Sequence, residues 1–109
     1  MIAKLPQPLT DYFAAKNRHD IDAMLVPFSS DATVRDEGET HHGSAAIRSW
    51  MEATTRKYRV TVEVADAFVS GDAWRIAGIV SGNFSGSPAT LHYGFTLHDD
   101  RITRLEIGA

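Results

Sequence analysis

The sequence predicts an α+β domain in which helices come first and an antiparallel sheet follows. Up to about residue 58, apolar residues recur at helical spacing, apart from one short strand. From Arg59 onward apolar and polar residues alternate with a period of two, which is typical of strands with one buried face. The chain has 109 residues, a common size for one domain, so residues 1–109 are expected to form a single domain.

Two helices are predicted at the start of the chain. Pro6 and Pro8 mark the entry to the first, which should end near residues 17–19. Its buried stripe holds Leu9, Tyr12 and Phe13, with Lys16 next at the same spacing. Asp20 is a good N-cap for a second, short helix carrying Ile21, Met24 and Leu25, and Pro27 limits that helix.

A short strand and a third helix are predicted next. The strand covers 30–36 and ends at Asp36, and the polar segment EGETHHG at 37–43 is predicted to be a loop. The third helix begins at Gly43 and Ser44. Its buried face is formed by residues at i, i+3, i+4 and i+7, namely Ile47, Trp50, Met51 and Thr54.

Four strands should then form an antiparallel meander. Turn residues separate them at Gly71 and Asp72, at 86–88, and at Asp99 and Asp100. The last strand covers 102–107. Three helices followed by this meander predict helices packed on the concave face of a strongly bent sheet.

Composition excludes several classes of function. The net charge of −3 and the pI of about 5.9 argue against a nucleic-acid-binding protein. Without cysteine, no disulfide, thiolate catalysis or cysteine-bound metal is available. The first ten residues do not read as a signal peptide, and no run of about 18 apolar residues predicts a membrane helix. We therefore expect a cytoplasmic protein without membrane contact.

No metal or cofactor is expected. The neighbouring His41 and His42 are the most suggestive metal ligands, but a metal site needs further ligands on a shared face. Adjacent residues of extended chain point to opposite sides. A loop histidine at a pocket rim, His42 or His41, is the more plausible role.

Three segments resemble the nuclear-transport-factor-2-like (NTF2-like) superfamily, and within it the SnoaL-like and ketosteroid-isomerase-like group. They are HDIDAMLVPFSSDATVRD, GSAAIRSW and SGNFSGSPATLHYGFTLHDDRITRLEI. With the strand pattern they cover nearly the whole chain. The resemblance implies a cone-shaped fold, with three N-terminal helices packed on a strongly curved, mainly antiparallel sheet that encloses a pocket. It also implies a homodimer formed through the convex sheet face.

The same resemblance implies three catalytic residues. Asp36, which closes DATVRD, takes the place of the family's aspartate base. Tyr12, eight residues before Asp20, takes the place of its tyrosine. Tyr93 takes the place of an acid on a late strand, or His92 if the register shifts by one. A base and neutral hydrogen-bond donors are what proton abstraction beside a carbonyl requires.

Each of these residues also has a purely structural interpretation. Tyr12 lies on an apolar helix stripe, where it can fill the core. Asp36 precedes a loop, where aspartates often form turns. If a pocket exists, its walls should come from inward residues of the helix and strands: Trp50, Trp74, Ile76, Leu91 and Phe95, with His42 at the rim. Such walls suit a small apolar molecule with carbonyl or hydroxyl oxygens.

The leading hypothesis is therefore acid/base chemistry on a small apolar carbonyl compound, by a ketosteroid-isomerase-like isomerase or a cyclase. The alternative is a non-catalytic small-molecule-binding or protein-interaction domain of the same fold. Epoxide hydrolysis is a third class, but it needs an inward arginine, and Arg75 lies on the face opposite Trp74 and Ile76.

Overall fold

The computed structural model describes residues 4–109, and this part of the chain contains three helices and six strands. The helices are α1 (Gln7–Asn17), α2 (Ile21–Leu25) and α3 (Ser44–Tyr58). The strands are β1 (Phe28–Asp36), β2 (Glu39–His42), β3 (Thr61–Ser70), β4 (Ala73–Ser81), β5 (Ala89–His98) and β6 (Arg101–Gly108). The predicted order of two helices, a strand, a third helix and four further strands is confirmed, and β2 is an additional strand.

The six strands form one curled sheet that does not close. Their order is β2-β1-β6-β5-β4-β3, and β3 to β6 form the predicted antiparallel meander. The pairing of β1 with β6 is parallel, and all other neighbours are antiparallel. This parallel pair brings the end of β1, and with it Asp36, close to the last strand.

The segment predicted as a loop at 37–43 contains strand β2, so that prediction was wrong. Asp36 pairs with Glu39, and the two residues between them have positive φ angles, 52° at Glu37 and 77° at Gly38. Such a two-residue turn matches the twist of a hairpin. A glutamate is unusual in the left-handed region, so the sequence at Glu37 and Gly38 did not predict a hairpin.

Aromatic rings fill the core between α1 and the sheet. Tyr12 packs edge-to-face on Phe13, Phe28 and Phe95, with ring centres 5.3 to 5.7 Å apart. Phe13 makes the same kind of contact with Tyr93 at 5.4 Å. Contacts of this geometry are favourable beyond the area they bury. The cluster fills one part of the space between the helices and the sheet and leaves another part open.

The end of α1 is fastened to the edge strand β3. The Asn17 side chain donates to the carbonyl oxygen of Val62 at 3.0 Å and accepts from its N–H at 2.7 Å. His19 Nε2 lies 2.9 Å from the carbonyl oxygen of Val60. These contacts satisfy backbone groups that an edge strand would otherwise leave unpaired. They also fix the position of Lys16, the residue before Asn17.

Within residues 4–109, no helix is both long and apolar enough to cross a membrane. The longest helix, α3, has 15 residues, whereas a membrane-spanning helix needs about 20.

Candidate functional site

A cavity of about 510 Å³ opens at one end of the sheet, between the end of α1, one side of α3 and the inner face of β4 to β6. Most of its wall is apolar, but five ionisable residues interrupt it: Lys16, Asp36 and Tyr93, with the partly buried Tyr58 and the exposed Glu37. The full lining is Lys16, Asp36, Glu37, Gly38, Trp50, Thr54, Tyr58, Val60, Val80, Phe84, Leu91, Tyr93, Ile107, Gly108 and Ala109. A volume of this size accommodates a small organic molecule.

Asp36 lies half-buried in this wall, at the end of β1 and beside the Glu37–Gly38 turn. Its Oδ2 accepts a hydrogen bond from the Trp50 indole N–H at 3.1 Å. Burial raises the pKa of the Asp36 carboxyl above its ordinary 3.8, and the charge of Glu37 adds to the rise. The Trp50 hydrogen bond, the positive charge of Lys16 and the Glu37 backbone N–H oppose it. The carboxylate is therefore a better proton acceptor than one in water.

Tyr93 forms part of the cavity floor and is only 2% exposed. Its ring lies close against Gly78 of the neighbouring strand. A Cβ added at Gly78 would lie 2.8 Å from Val62 and 3.1 Å from the Tyr93 ring, so the missing side chain makes room for the ring. Burial, and then the charge of Asp36, raise the pKa of Tyr93. The phenol is thus neutral near pH 7 and can donate a hydrogen bond.

Tyr12 lies behind the cavity wall. Its side chain is completely buried, and within residues 4–109 its hydroxyl has no hydrogen-bond partner. Its pKa is raised well above 10.0, first by burial and then by the nearby Tyr93 and Asp36. Leaving a buried hydroxyl unpaired costs about 1–3 kcal/mol. Tyr12 is thus close to the other two predicted catalytic residues, but it does not line the cavity itself.

Lys16 is the site residue that the sequence prediction missed. It lies on the apolar stripe of α1, is 8% exposed and lines the cavity. No carboxylate of the described residues lies within 4.0 Å of its amine, since it takes part in none of the ion pairs found there. Burial lowers the pKa of Lys16 from 10.5 to about 8, although the charge of Asp36 acts against this shift. A charged residue at a buried helical position was the signal that could have revealed it.

The rim of the cavity continues into a smaller groove of about 320 Å³ that shares Asp36 and Trp50 with it. His41 lines this groove and stacks on Trp50 with ring centres 6.0 Å apart. His42 is exposed, lies next to His41 along β2 and lies 2.9 Å from Thr33 Oγ1. Of the two histidines, His41 rather than His42 lies at the site.

The predicted lining residues fall into two groups. Trp50 and Leu91 line the cavity. Ile76 and Phe95 are fully packed in the core, and Trp74 lies partly buried at the edge of that core. The pairing of β4 with β5 explains the division, because Trp74 lies opposite Phe95, whereas Gly78 lies opposite Leu91 nearer the cavity. Inward alternation predicted the correct face of the sheet, but not which end of it stays open.

Among the residues described, no cluster of three or more histidine, aspartate or glutamate side chains could hold a metal ion. No arginine lines the cavity. Arg75 is exposed on the outer face of the sheet, as predicted. The polar side chains along the cavity are therefore carboxylates, phenols, one threonine hydroxyl and one amine.

The cone-like layer of helices on a curled sheet, with a pocket at one end, defines the class of NTF2-like pocket proteins. The model of the SnoaL-like domain family matches residues 9–105. The chain therefore belongs to the SnoaL-like domain family, within the NTF2-like superfamily. None of the curated proteins matches the chain.

Three solved structures illustrate this relationship. A proposed polyketide cyclase from Sinorhizobium meliloti is 43% identical, with 94% of each chain covered and a TM-score of 0.91. A protein from Catenulispora acidiphila with a ketosteroid-isomerase-like fold is 23% identical, with 97% of this chain and 87% of that one covered and a TM-score of 0.85. An NTF2-like protein from Cytophaga hutchinsonii is 17% identical, with 98% and 92% covered and a TM-score of 0.79. The last two likenesses show the fold alone.

Proposed function

We propose that this protein binds a small apolar carbonyl compound in the 510 Å³ cavity and moves a proton at the carbon beside the carbonyl. The observation that carries the proposal is the placement of the Asp36 carboxylate in a largely apolar wall, oriented by the Trp50 indole at 3.1 Å. A carboxylate in such a setting has lost part of its hydration and gained basicity. The neutral phenol of Tyr93 shares the same cavity.

In the proposed mechanism, Asp36 accepts a proton from the carbon next to the ligand's carbonyl. The electron pair of that C–H bond moves toward the carbonyl oxygen, which becomes an enolate. The Tyr93 hydroxyl donates a hydrogen bond to this oxygen and stabilises the developing charge. Tyr12, directly behind, adds a second neutral hydroxyl to the same region. Asp36 then returns the proton to a different carbon, or the enolate carbon attacks a second carbonyl of the same ligand.

The two outcomes correspond to an isomerase and a cyclase. The 43% identical protein from Sinorhizobium meliloti, named as a proposed polyketide cyclase, supports the second. Polyketides carry several carbonyl groups on one chain, so a base beside an apolar pocket suits their cyclisation. Without proton transfer, the same cavity would make a non-catalytic ligand-binding domain.

Hydrogen exchange tests the proposal without knowledge of the natural substrate. Cyclic ketones of increasing size, from cyclohexanone to two-ring and three-ring ketones, are incubated in D₂O with the protein. We expect deuterium to enter the position beside the carbonyl faster than in buffer. Asp36 exchanges the proton that it removes for deuterium from the solvent, and the enolate then takes up that deuterium. Mass spectrometry measures the label.

A bound phenol provides the control for occupancy. A naphthol or a phenolic steroid imitates the enolate. Its binding should quench the fluorescence of Trp50, which lines the cavity, and should inhibit the hydrogen exchange of the ketones. Binding of the phenol without exchange of any ketone would contradict the catalytic proposal and leave the ligand-binding domain. Failure of every compound to bind would remove the small-molecule function altogether.

We also propose that two chains pair through the outer face of the sheet. That face carries a shallow polar groove with Arg75, His92 and Thr96. In the same groove, Arg104 Nε donates a hydrogen bond to Glu106 Oε1 at 2.7 Å. Apolar side chains beside the groove are unusually exposed, at 57% for Phe68 and 37% for Ile79. A mixed face of this kind is typical of interfaces that bury about 1,600 Å² in total.

Light scattering after gel filtration measures the assembly. At micromolar concentration we expect a particle of twice the 12.0 kDa of one chain. Ile79→Glu should shift it toward the monomer, because a buried unpaired charge opposes association. The matched change Val26→Glu, at a side chain 71% exposed just after α2 and outside the sheet, should leave the dimer intact. A wild-type monomer would contradict the proposal.

A further inference from the structure

Lys16 carries a buried amine that has no role in the proton transfer proposed above. Its side chain lies on the apolar stripe of α1, and its residue is 8% exposed. Nζ lies 5.9 Å from the centre of the Tyr12 ring, and no hydrogen bond to a described residue engages it. A buried ammonium without a paired carboxylate is less stable than one in water, so a larger fraction of this amine is neutral and nucleophilic than in an exposed lysine.

The position of this amine is fixed rather than incidental. The paired hydrogen bonds between Asn17 and Val62 hold the end of α1 on β3. The same helix packs Phe13 against Tyr93, with ring centres 5.4 Å apart. Lys16 therefore faces the cavity that also contains Tyr93 and Asp36. Amine, carboxyl and phenol border one space with apolar walls, which is the set of groups that imine chemistry requires.

We propose that Lys16 forms a covalent imine with an aldehyde or ketone bound in the cavity. The proposal rests on the proposed function for the class of ligand, a carbonyl compound. It adds a second use of that carbonyl, because an iminium draws electrons from the neighbouring carbon more strongly than a neutral carbonyl does. Asp36 then removes the proton from the carbon beside the iminium rather than beside a free ketone.

The lone pair of the neutral amine attacks the carbonyl carbon, a C–N bond forms, and a proton moves from nitrogen to oxygen. The Asp36 carboxylate takes up the proton that the Lys16 ammonium loses on becoming neutral, and passes this proton to the hydroxyl of the adduct, which leaves as water while the C=N bond forms. Neutral amine, carbonyl and one proton have become iminium and water. Asp36, now a carboxylate, is ready to accept the carbon-bound proton, and addition of water reverses the whole sequence.

The neutral amine is available at ordinary pH. Burial lowers the pKa of Lys16 to about 8, so about a tenth of the molecules carry the neutral amine at pH 7 and half at pH 8. An exposed lysine has a far smaller fraction of neutral amine at the same pH. The sequence contains three lysines, Lys4, Lys16 and Lys57, and the other two are exposed, so they serve as internal controls.

Reductive trapping tests the imine. The wild-type protein is incubated at pH 7.5 with benzaldehyde or cyclohexanone and sodium cyanoborohydride, and peptide mapping locates the reduced adduct. We expect labelling of Lys16 to saturate with ligand concentration and to be at least about tenfold faster than that of Lys57, because the bound carbonyl lies next to the amine. Accessibility alone predicts the reverse order. Labelling of Lys4 and Lys57 with Lys16 unmodified would overturn the proposal.

Two variants complete the experiment. Lys16→Met should abolish the saturable adduct, and Lys57→Arg should leave it unchanged. Circular dichroism checks that both fold, and the wild-type map decides the question even if Lys16→Met does not. Hydrogen exchange of ketones without any Lys16 adduct would overturn the imine and leave the proposed function in place. A Lys16 adduct without hydrogen exchange of ketones would support the imine and overturn the proposed proton transfer.

Discussion

Replacing Asp36 with asparagine should lower the rate of protein-catalysed hydrogen exchange by roughly a hundredfold or more, the usual scale for loss of a general base. Asparagine keeps the shape of the side chain, and its amide oxygen can still accept the Trp50 hydrogen bond, which measures 3.1 Å in the wild type. It cannot accept a proton near neutral pH. Ligand affinity should therefore change little, and the loss should appear in turnover.

Stability separates this loss from damage to the fold. Burial raises the pKa of Asp36, so the folded state holds a proton there that the unfolded state releases at lower pH. The wild type therefore loses stability as the pH rises through the pKa of the folded state, and the uncharged asparagine escapes that loss. Urea unfolding at pH 7 should find Asp36→Asn at least as stable as the wild type.

Asp31→Asn is the matched control, because Asp31 lies on the same strand but is exposed and contacts Ser29 Oγ at 3.0 Å. We expect it to leave the exchange rate unchanged. If Asp36→Asn retained the wild-type rate, Asp36 would be a turn residue of the β1–β2 hairpin and the proposed base would be wrong.

The fold was largely predictable, because its signals are periodic and local. The stripe of α1, the Asp20 cap of α2 and the alternation after Arg59 each survive in the structure. The Asp20 side chain accepts from the N–H of Ala23 at 3.1 Å, as an N-cap should. The parallel pairing of β1 with β6 was not predictable, since it joins segments about 70 residues apart without a local signature.

The site was predictable only in part, and the reason is geometric. Local motifs placed Asp36 and Tyr93, which the structure brings to one cavity, and Tyr12, which it places just behind the wall. The open end of the sheet depends on how far the aromatic cluster around Phe95 extends. That extent is a property of packing in three dimensions, so alternation along β5 could not separate Leu91, which lines the cavity, from Phe95, which is packed in the core.

Lys16 shows the opposite case, in which the signal was present but had a simpler interpretation. A lysine at the end of an amphipathic helix usually extends its amine to solvent past an apolar stem. Here the last turn of α1 packs on β3, and Asn17 and His19 occupy that edge. The lysine is left facing inward. Only the docking of the helix decides between the two outcomes.

Replacing Lys16 with methionine should raise the free energy of unfolding at pH 7. The lysine's pKa falls from 10.5 to about 8 on folding, and each unit corresponds to about 1.4 kcal/mol. The charged amine thus destabilises the folded state by about 3 kcal/mol below pH 8. Methionine fills the same space without a charge. Part of the gain is lost because Asp36 no longer has a positive charge nearby, so we expect an increase of about 1–3 kcal/mol.

The pH dependence identifies the cause. Between pH 8 and 10.5 the unfolded chain binds a proton at Lys16 that the folded chain does not, so wild-type stability should rise with pH in this window. Above about pH 10 the raised pKa values of Tyr12 and Tyr93 act in the opposite direction, because only the unfolded tyrosines ionise there. The clearest rise should therefore lie between pH 8 and 10, and Lys16→Met should lack it.

Urea unfolding at pH 7 and pH 9.5 measures both effects, with Lys4→Met, at an exposed position, as the control expected to change stability by less than about 0.5 kcal/mol. A destabilised Lys16→Met would mean that the amine stabilises the fold through a contact other than those described. A stabilised variant that also loses the trapped adduct would show that the chain keeps a costly buried amine for its reactivity. Residues retained at a cost in stability are typical of functional sites.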